Sequence, residues 1–143
     1  MGHLINIAVV GLGIGRLHVD GAANCEGGRL YAVCDIREDR IERITSKYPD
    51  VLVYRDYDEM LKDKAIDLIT IAVPSGMHAD FAIKALRAGK HVLIEKPMDI
   101  QVDRILEIEK VRLETGLKVG GVFQNRRLPV MQPLKKAVEE GVF

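Results

Sequence analysis

Short, continuous apolar runs recur along this chain, and segments with helical spacing stand between most of them. The runs are LINIAVV (4–10), RLYAVCD (29–35), VLVY (51–54), DLITIAV (67–73), HVLI (91–94) and LKVGGVFQ (117–124). LINIAVV is short, β-branched and continuously apolar, the signature of a strand covered on both sides, and the other runs read as further strands, VLVY a weaker one and DLITIAV a strong one. Between them, REDRIERITSKY (37–48) places Ile41, Ile44 and Tyr48 on one helical face and stops at Pro49. HADFAIKALRAGK (78–90) repeats Phe81, Ala82, Ala85 and Leu86 and reaches Gly89, a natural C-terminal cap. VDRILEIEKVRLETG (102–116) carries Val102, Ile105, Leu106 and Leu113, and PVMQPLKKAVEEG (129–141) adds a last amphipathic helix. Strand–helix alternation with short, right-handed connections predicts an α/β chain with a doubly wound parallel sheet.

At 143 residues the chain is of ordinary single-domain size. Its 21 basic residues balance 21 acidic ones, so no electrostatic attraction to nucleic acid or an anionic membrane is expected. Its apolar runs fall short of the ~20 residues a membrane-crossing helix needs. The opening MGHLINIAVVGLG lacks the basic start of a secretion signal. Cys25 and Cys34 form no CxxC pair, which suits a cytoplasmic, reducing location. Val142 and Phe143 follow a capped helix like the start of another strand, so the chain reads as the front part of a longer protein.

The first connection, VVGLGIGRLH (9–18), places Gly11 and Gly13 at the end of a strand and ahead of a helix. A dinucleotide-binding fold needs a tight turn there, with backbone N–H groups approaching a pyrophosphate at the helix N-terminus. In the usual G-x-G-x-x-G spacing the third glycine would fall on Arg16, whereas here Gly15 comes one residue early, after Ile14. Either Gly15 takes the third role in a shortened turn, or Arg16 points outward towards a phosphate. Asp35 closes the second strand, where a carboxylate can accept hydrogen bonds from the adenosine ribose and repel a 2′-phosphate. This favours NAD. Arg37 leaves NADP open, by stacking on adenine or receiving the 2′-phosphate. Asp35 can equally cap the helix that follows.

The stretch VPSGMHADFAIKALRAGKHVLIEKPM (73–98) sets Pro74 and Ser75 after a strand and His78 at a helix start, then runs through Ala-Gly-Lys-His to Glu95-Lys96-Pro97. With the glycine turn, Asp35 and GGVFQNRRLPVMQPLKKAVEEG, it resembles the Gfo/Idh/MocA oxidoreductases over residues 4 to about 143. The resemblance implies a cofactor-binding Rossmann domain at 1–122. It also implies a linker and first helix at 123–143, leading into a substrate domain that this chain largely lacks. By the same resemblance, the activity is an NAD(P)-dependent dehydrogenase acting on a secondary alcohol of a sugar, polyol or nucleotide sugar. The missing domain would supply the homo-oligomer interface and further catalytic groups, so the isolated chain should bind cofactor but be inactive.

The residue chemistry agrees. Ligands of open parallel sheets lie at the carboxyl ends of strands, and Glu95 and Lys96 stand at such an end. Oxidising an alcohol requires a base for the hydroxyl proton while hydride leaves for nicotinamide. Burial and a cationic nicotinamide would both favour a neutral Lys96, making it the candidate acid/base. Glu95 would face the nicotinamide side or fix Lys96. Read without the family, the same residues are an ion pair followed by a proline that opens a helix. Gln124 and His78 are candidate cofactor contacts, His78 alternatively a helix cap; His18 reads as a packing residue, and no metal is expected. Arg126 and Arg127 read as a solvated linker or as holders of an anionic substrate group. A non-catalytic nucleotide sensor and an S-adenosylmethionine-binding fold are the alternatives, the latter giving Glu95-Lys96-Pro97 no role.

Overall fold

A computed structural model of the chain describes residues 4–142; Phe143 of the expected terminal strand lies outside them. Six strands form one parallel sheet: β1 Ile5–Val10, β2 Gly28–Cys34, β3 Leu52–Tyr54, β4 Leu68–Ile71, β5 His91–Ile94 and β6 Val119–Gly121. They lie in the order β3-β2-β1-β4-β5-β6. The chain order therefore reverses between β1 and β4, which is where an open parallel sheet forms its ligand crevice. All six expected strands are present: β5 coincides with its apolar run, β2 starts and ends one residue earlier than its run, and the other four are shorter than theirs.

The helices are α1 Arg16–Ala23, α2 Glu38–Thr45, α3 Tyr57–Leu61, α4 His78–Arg87, α5 Val102–Thr115 and α6 Met131–Glu139. Alternate residues of β1 feed opposite layers. Val9 packs with Val19 of α1 and with Ile41 and Ile44 of α2. Ala8 and Val10 join Met60 of α3, Ala82 and Leu86 of α4, and Ile108 and Val111 of α5. Ile69, Ile71 and Ile94 in the central strands are fully buried, each contributing about 1.5–3 kcal/mol relative to exposure.

Two expectations are corrected. Helix α3 was not foreseen; it is five residues long and starts where the Asp56 side chain accepts the Glu59 N–H at 2.9 Å. In α5, Val102, Leu106 and Leu113 are exposed, while Ile108 and Val111 are buried. The sequence of α5 is apolar on two faces, and the one bearing Ile108 and Val111 joins the core, where α5 packs mainly against α4. Helix α6 makes its main contacts with the turn before it, leaving Val130, Leu134 and Val138 exposed.

Candidate active site

The turn after β1 is built from backbone demands that side chains would violate. Gly11 has φ +84°, and a Cβ there would sit 2.5 Å from the Ala72 carbonyl oxygen. A Cβ on Gly15 would lie 2.1 Å from the Gly11 carbonyl oxygen and 3.1 Å from the Ala72 methyl group. Gly15 thus performs the close helix-to-strand packing in the shifted turn, and Arg16 begins α1 with its side chain exposed. Gly13 is different: its nearest neighbour is the Arg40 guanidinium at 3.6 Å, so its small size keeps space open on the ligand side. Ile14 is half exposed at the tip of the turn.

Asp35 organises this turn. One carboxylate oxygen accepts the Leu12 N–H at 2.6 Å and an Arg40 N–H at 3.3 Å; the other accepts the Arg37 N–H at 2.9 Å. Its side chain is 3% exposed. The carboxylate thus holds the glycine turn against Arg37, the residue ahead of α2, while α2 itself has no side-chain cap. Arg37 turns to Asp39, with both contacts at 3.0 Å. Asp35, Arg37 and Arg40 border a cavity of about 470 Å³, together with Gly11, Gly13, Ile36, Pro74, Met77 and Phe81. Tyr57 stacks on Phe81 at 4.4 Å behind it. Apolar walls with a few polar groups at one rim suit a flat, largely apolar ring system.

On the other side of the chain reversal, Pro74 opens a 3₁₀ turn, Ser75–Met77, that leads into α4. His78 is 1% exposed. Its Nδ1 lies 2.7 Å from the Pro97 carbonyl oxygen and its Nε2 2.8 Å from that of Val73. It therefore ties the end of β4 to the Glu-Lys-Pro turn, a structural duty, and is sealed away from solvent. The buried Asp99 carboxylate accepts the Ala79 N–H of α4 at 3.0 Å and the N–H of Gln101, just before α5, at 3.1 Å. The Lys96–Pro97 peptide is cis.

Glu95 is buried, and both its oxygens are engaged: Oε1 with His18 Nε2 at 2.8 Å, Oε2 with the Lys96 N–H at 2.8 Å. The alternative reading of Glu95 as a support for Lys96 is the one its contacts match. Its partner His18, read from sequence only as a packing residue, was the member of this group that sequence reasoning missed. The two are 77 positions apart, and no local spacing could link them. Lys96 itself is exposed, so the expected burial is not supplied by the described residues. No described residue hydrogen-bonds or ion-pairs with its Nζ. Gln124 begins an exposed turn, Gln124–Arg127, after β6. Met98 and Phe123 pack around Gly121 beside it.

The carboxyl edge therefore brings together Gly11, Gly13, Ile14, Gly15, Asp35 and Arg37 on one side of the crevice. Pro74, Ser75, Glu95 and Lys96 lie on the other, with Gln124 beyond β6. Among the described residues, no group of three or more His, Cys, Asp or Glu side chains could hold a metal ion, and no helix is long and apolar enough to cross a membrane.

Residues 5–121 match the Gfo/Idh/MocA family, described as an oxidoreductase family with an NAD-binding Rossmann fold. The chain is 34% identical to the myo-inositol 2-dehydrogenase of Thermotoga maritima, over 96% of this chain and 41% of that one. It is 31% identical to the scyllo-inositol 2-dehydrogenase (NADP(+)) of Bacillus subtilis, over 78% of this chain and 31% of that one. Among solved structures, scyllo-inositol dehydrogenase from Lactobacillus casei, with bound NAD(H) and scyllo-inositol, superposes with a TM-score of 0.88 at 29% identity. That match covers 96% of this chain and 42% of the other. The chain thus spans about two fifths of the length of relatives such as these. Its glycine turn, its strand order and the family match over residues 5–121 agree, and the chain belongs to the Gfo/Idh/MocA oxidoreductase family.

Proposed function

We propose that this chain is the cofactor-binding part of an NAD(P)-dependent dehydrogenase that oxidises a secondary alcohol of a cyclic polyol or sugar. Residues 1–122 form the cofactor domain, and residues 123–143 are the linker and first helix of the substrate domain. The observation that carries the reading is Lys96, exposed at the carboxyl end of β5 with its amine unengaged by described residues, while its backbone is held by Glu95.

The residues fit a dinucleotide. A Cβ at Gly11 or Gly15 would intrude on the backbone of the turn, and the N-terminus of α1 supplies the positive end of a helix dipole for a pyrophosphate. The cavity lined by Asp35, Ile36, Arg37, Met77 and Phe81 takes the adenosine half. With Asp35 spent on the turn and Arg37 and Arg40 beside it, the rim tolerates a 2′-phosphate more readily than a free carboxylate would. NAD is the expected cofactor and NADP an admissible one. When bound, nicotinamide accepts the hydride. Lys96 takes the hydroxyl proton at its amine as the alcohol becomes a ketone, and returns a proton in the reverse direction. Pro74 and Ser75 shape the wall between the two halves, and Gln124 reaches from beyond β6 towards the same edge.

Inositol is the first substrate class to test, because relatives of known activity act on it. A cytoplasmic location and a homo-oligomer assembled through the region beyond these residues belong to the same reading. A non-catalytic nucleotide sensor is not favoured, since named relatives are dehydrogenases. The test is NAD(P) reduction followed at 340 nm, in a protein extended to the relatives' length and supplied with myo- or scyllo-inositol. Lys96→Met is expected to abolish it; undiminished turnover would remove Lys96 from the mechanism.

A further inference from the structure

We infer that His18 is a positioning residue for Lys96, acting through the buried Glu95 carboxylate. The inference rests on the reading of Lys96 as the acid/base. In the sheet, β4 lies between β1 and β5. His18, in the first turn of the helix that follows β1, reaches past the end of β4 to the residue after β5. The contact therefore bridges the two sides of the crevice, joining the pyrophosphate-binding helix to the catalytic turn.

The bridge is closed at each step. His18 and Glu95 side chains are 14% and 11% exposed, and Nε2 donates to Oε1 at 2.8 Å. The other carboxylate oxygen accepts the Lys96 N–H at 2.8 Å. The Glu95 N–H is fixed to the Ile71 carbonyl of β4 at 2.9 Å. A carboxylate held at both oxygens has one orientation, and that orientation sets the direction in which the Lys96 backbone leaves the strand. Without the imidazole, a buried Glu95 oxygen loses its donor. The carboxylate must then turn towards water or another donor to recover one, and turning releases the Lys96 N–H. No cofactor is needed for this effect, so it is readable in the chain alone.

The test uses backbone amide exchange followed by NMR in this chain, with kinetics in the extended enzyme. His18→Leu is expected to speed exchange at the Lys96 N–H by roughly three- to tenfold, the factor one hydrogen bond controls. Amides of β1 and β4 should be unchanged, and His18→Gln, which keeps a side-chain N–H donor, should restore protection. In the extended enzyme, His18→Leu should lower kcat by roughly 10- to 100-fold with little change in the KM for NAD, and His18→Gln should recover part of it. Unchanged exchange at Lys96, or faster exchange spread evenly over β1 and β4, would overturn the inference. So would full turnover of His18→Leu in an enzyme that Lys96→Met inactivates. If Lys96→Met is itself fully active, the underlying reading of Lys96 fails instead.

Discussion

Strand β5 is bracketed by two lysines that the fold treats in opposite ways. Lys90, just before the strand, is 5% exposed and donates to the Asp63 and Ile66 carbonyls at 2.7 and 2.9 Å. Burial pulls its pKa below the ordinary lysine value, with Asp63 and Asp67 pulling back. Lys96, just after the strand, is exposed, and only its backbone is held. The amino edge of the sheet spends its polar groups on itself: Asn6, for example, bonds Ala65, Asp67 and Arg29. At the carboxyl edge, the groups that fix the backbone are spent, while the amine of Lys96, the proposed acid/base, is engaged by no described residue. A parallel sheet closes one edge for stability and holds the other open for a ligand.

The sharpest way to break this contrast is to exchange the fates of the two lysines. Lys96→Met should cost the extended enzyme roughly 10²–10⁴ in turnover, the range of a general acid/base, and leave the urea midpoint unchanged. Lys90→Met should do the reverse. It strands two carbonyls and should lower stability by about 1–3 kcal/mol, measured by urea unfolding, without removing NADH binding. The Lys90 effect carries a pH signature. Its folded pKa lies below its unfolded value of 10.5, so the unfolded chain binds the proton more tightly. Its contribution to stability should therefore rise as pH climbs towards 10.5, and Lys90→Met should flatten that rise.

A second test compares two glycines of one turn. Gly15→Ala forces a methyl group against the Gly11 carbonyl and should cost about 1–3 kcal/mol of stability. Gly13→Ala meets only the Arg40 guanidinium, at an ordinary contact distance of 3.6 Å, and should fold normally while weakening NADH binding. Equal thermal midpoints for the two variants would contradict the assignment of the shifted third glycine to Gly15. The smallest expected effect is chemical. Burial pushes the Cys34 thiol up to about 12, whereas Cys25 is exposed. One thiol per chain should react with Ellman's reagent at pH 8, and Cys25→Ser should remove it.

How much of this could be read from sequence depended on distance along the chain. Strands such as Leu68–Ile71 announce themselves because burial on both faces leaves a continuous apolar run. Helix α3 stayed hidden because five residues hold barely more than one turn, and its Asp56–Glu59 cap resembles any polar loop. The face of α5 was misjudged because Val102, Leu106 and Leu113 keep helical spacing as well as Ile108 and Val111 do; only tertiary packing, chiefly against α4, decides between them. Gly11, Asp35 and Lys96 could be placed at the carboxyl edge from sequence because each lies within two residues of a strand's end. The ties of Glu95 to His18, and of His78 to Val73 and Pro97, were not, because they exist only once separate strands share an edge.

The most direct test of the open carboxyl edge is a fluorescence titration of this chain with NADH. The expected result is saturable one-to-one binding with a dissociation constant of about 1 mM or tighter, weakened by Gly13→Ala and retained in Lys90→Met. Absence of saturation by wild-type chain at millimolar NADH and NADPH would contradict it.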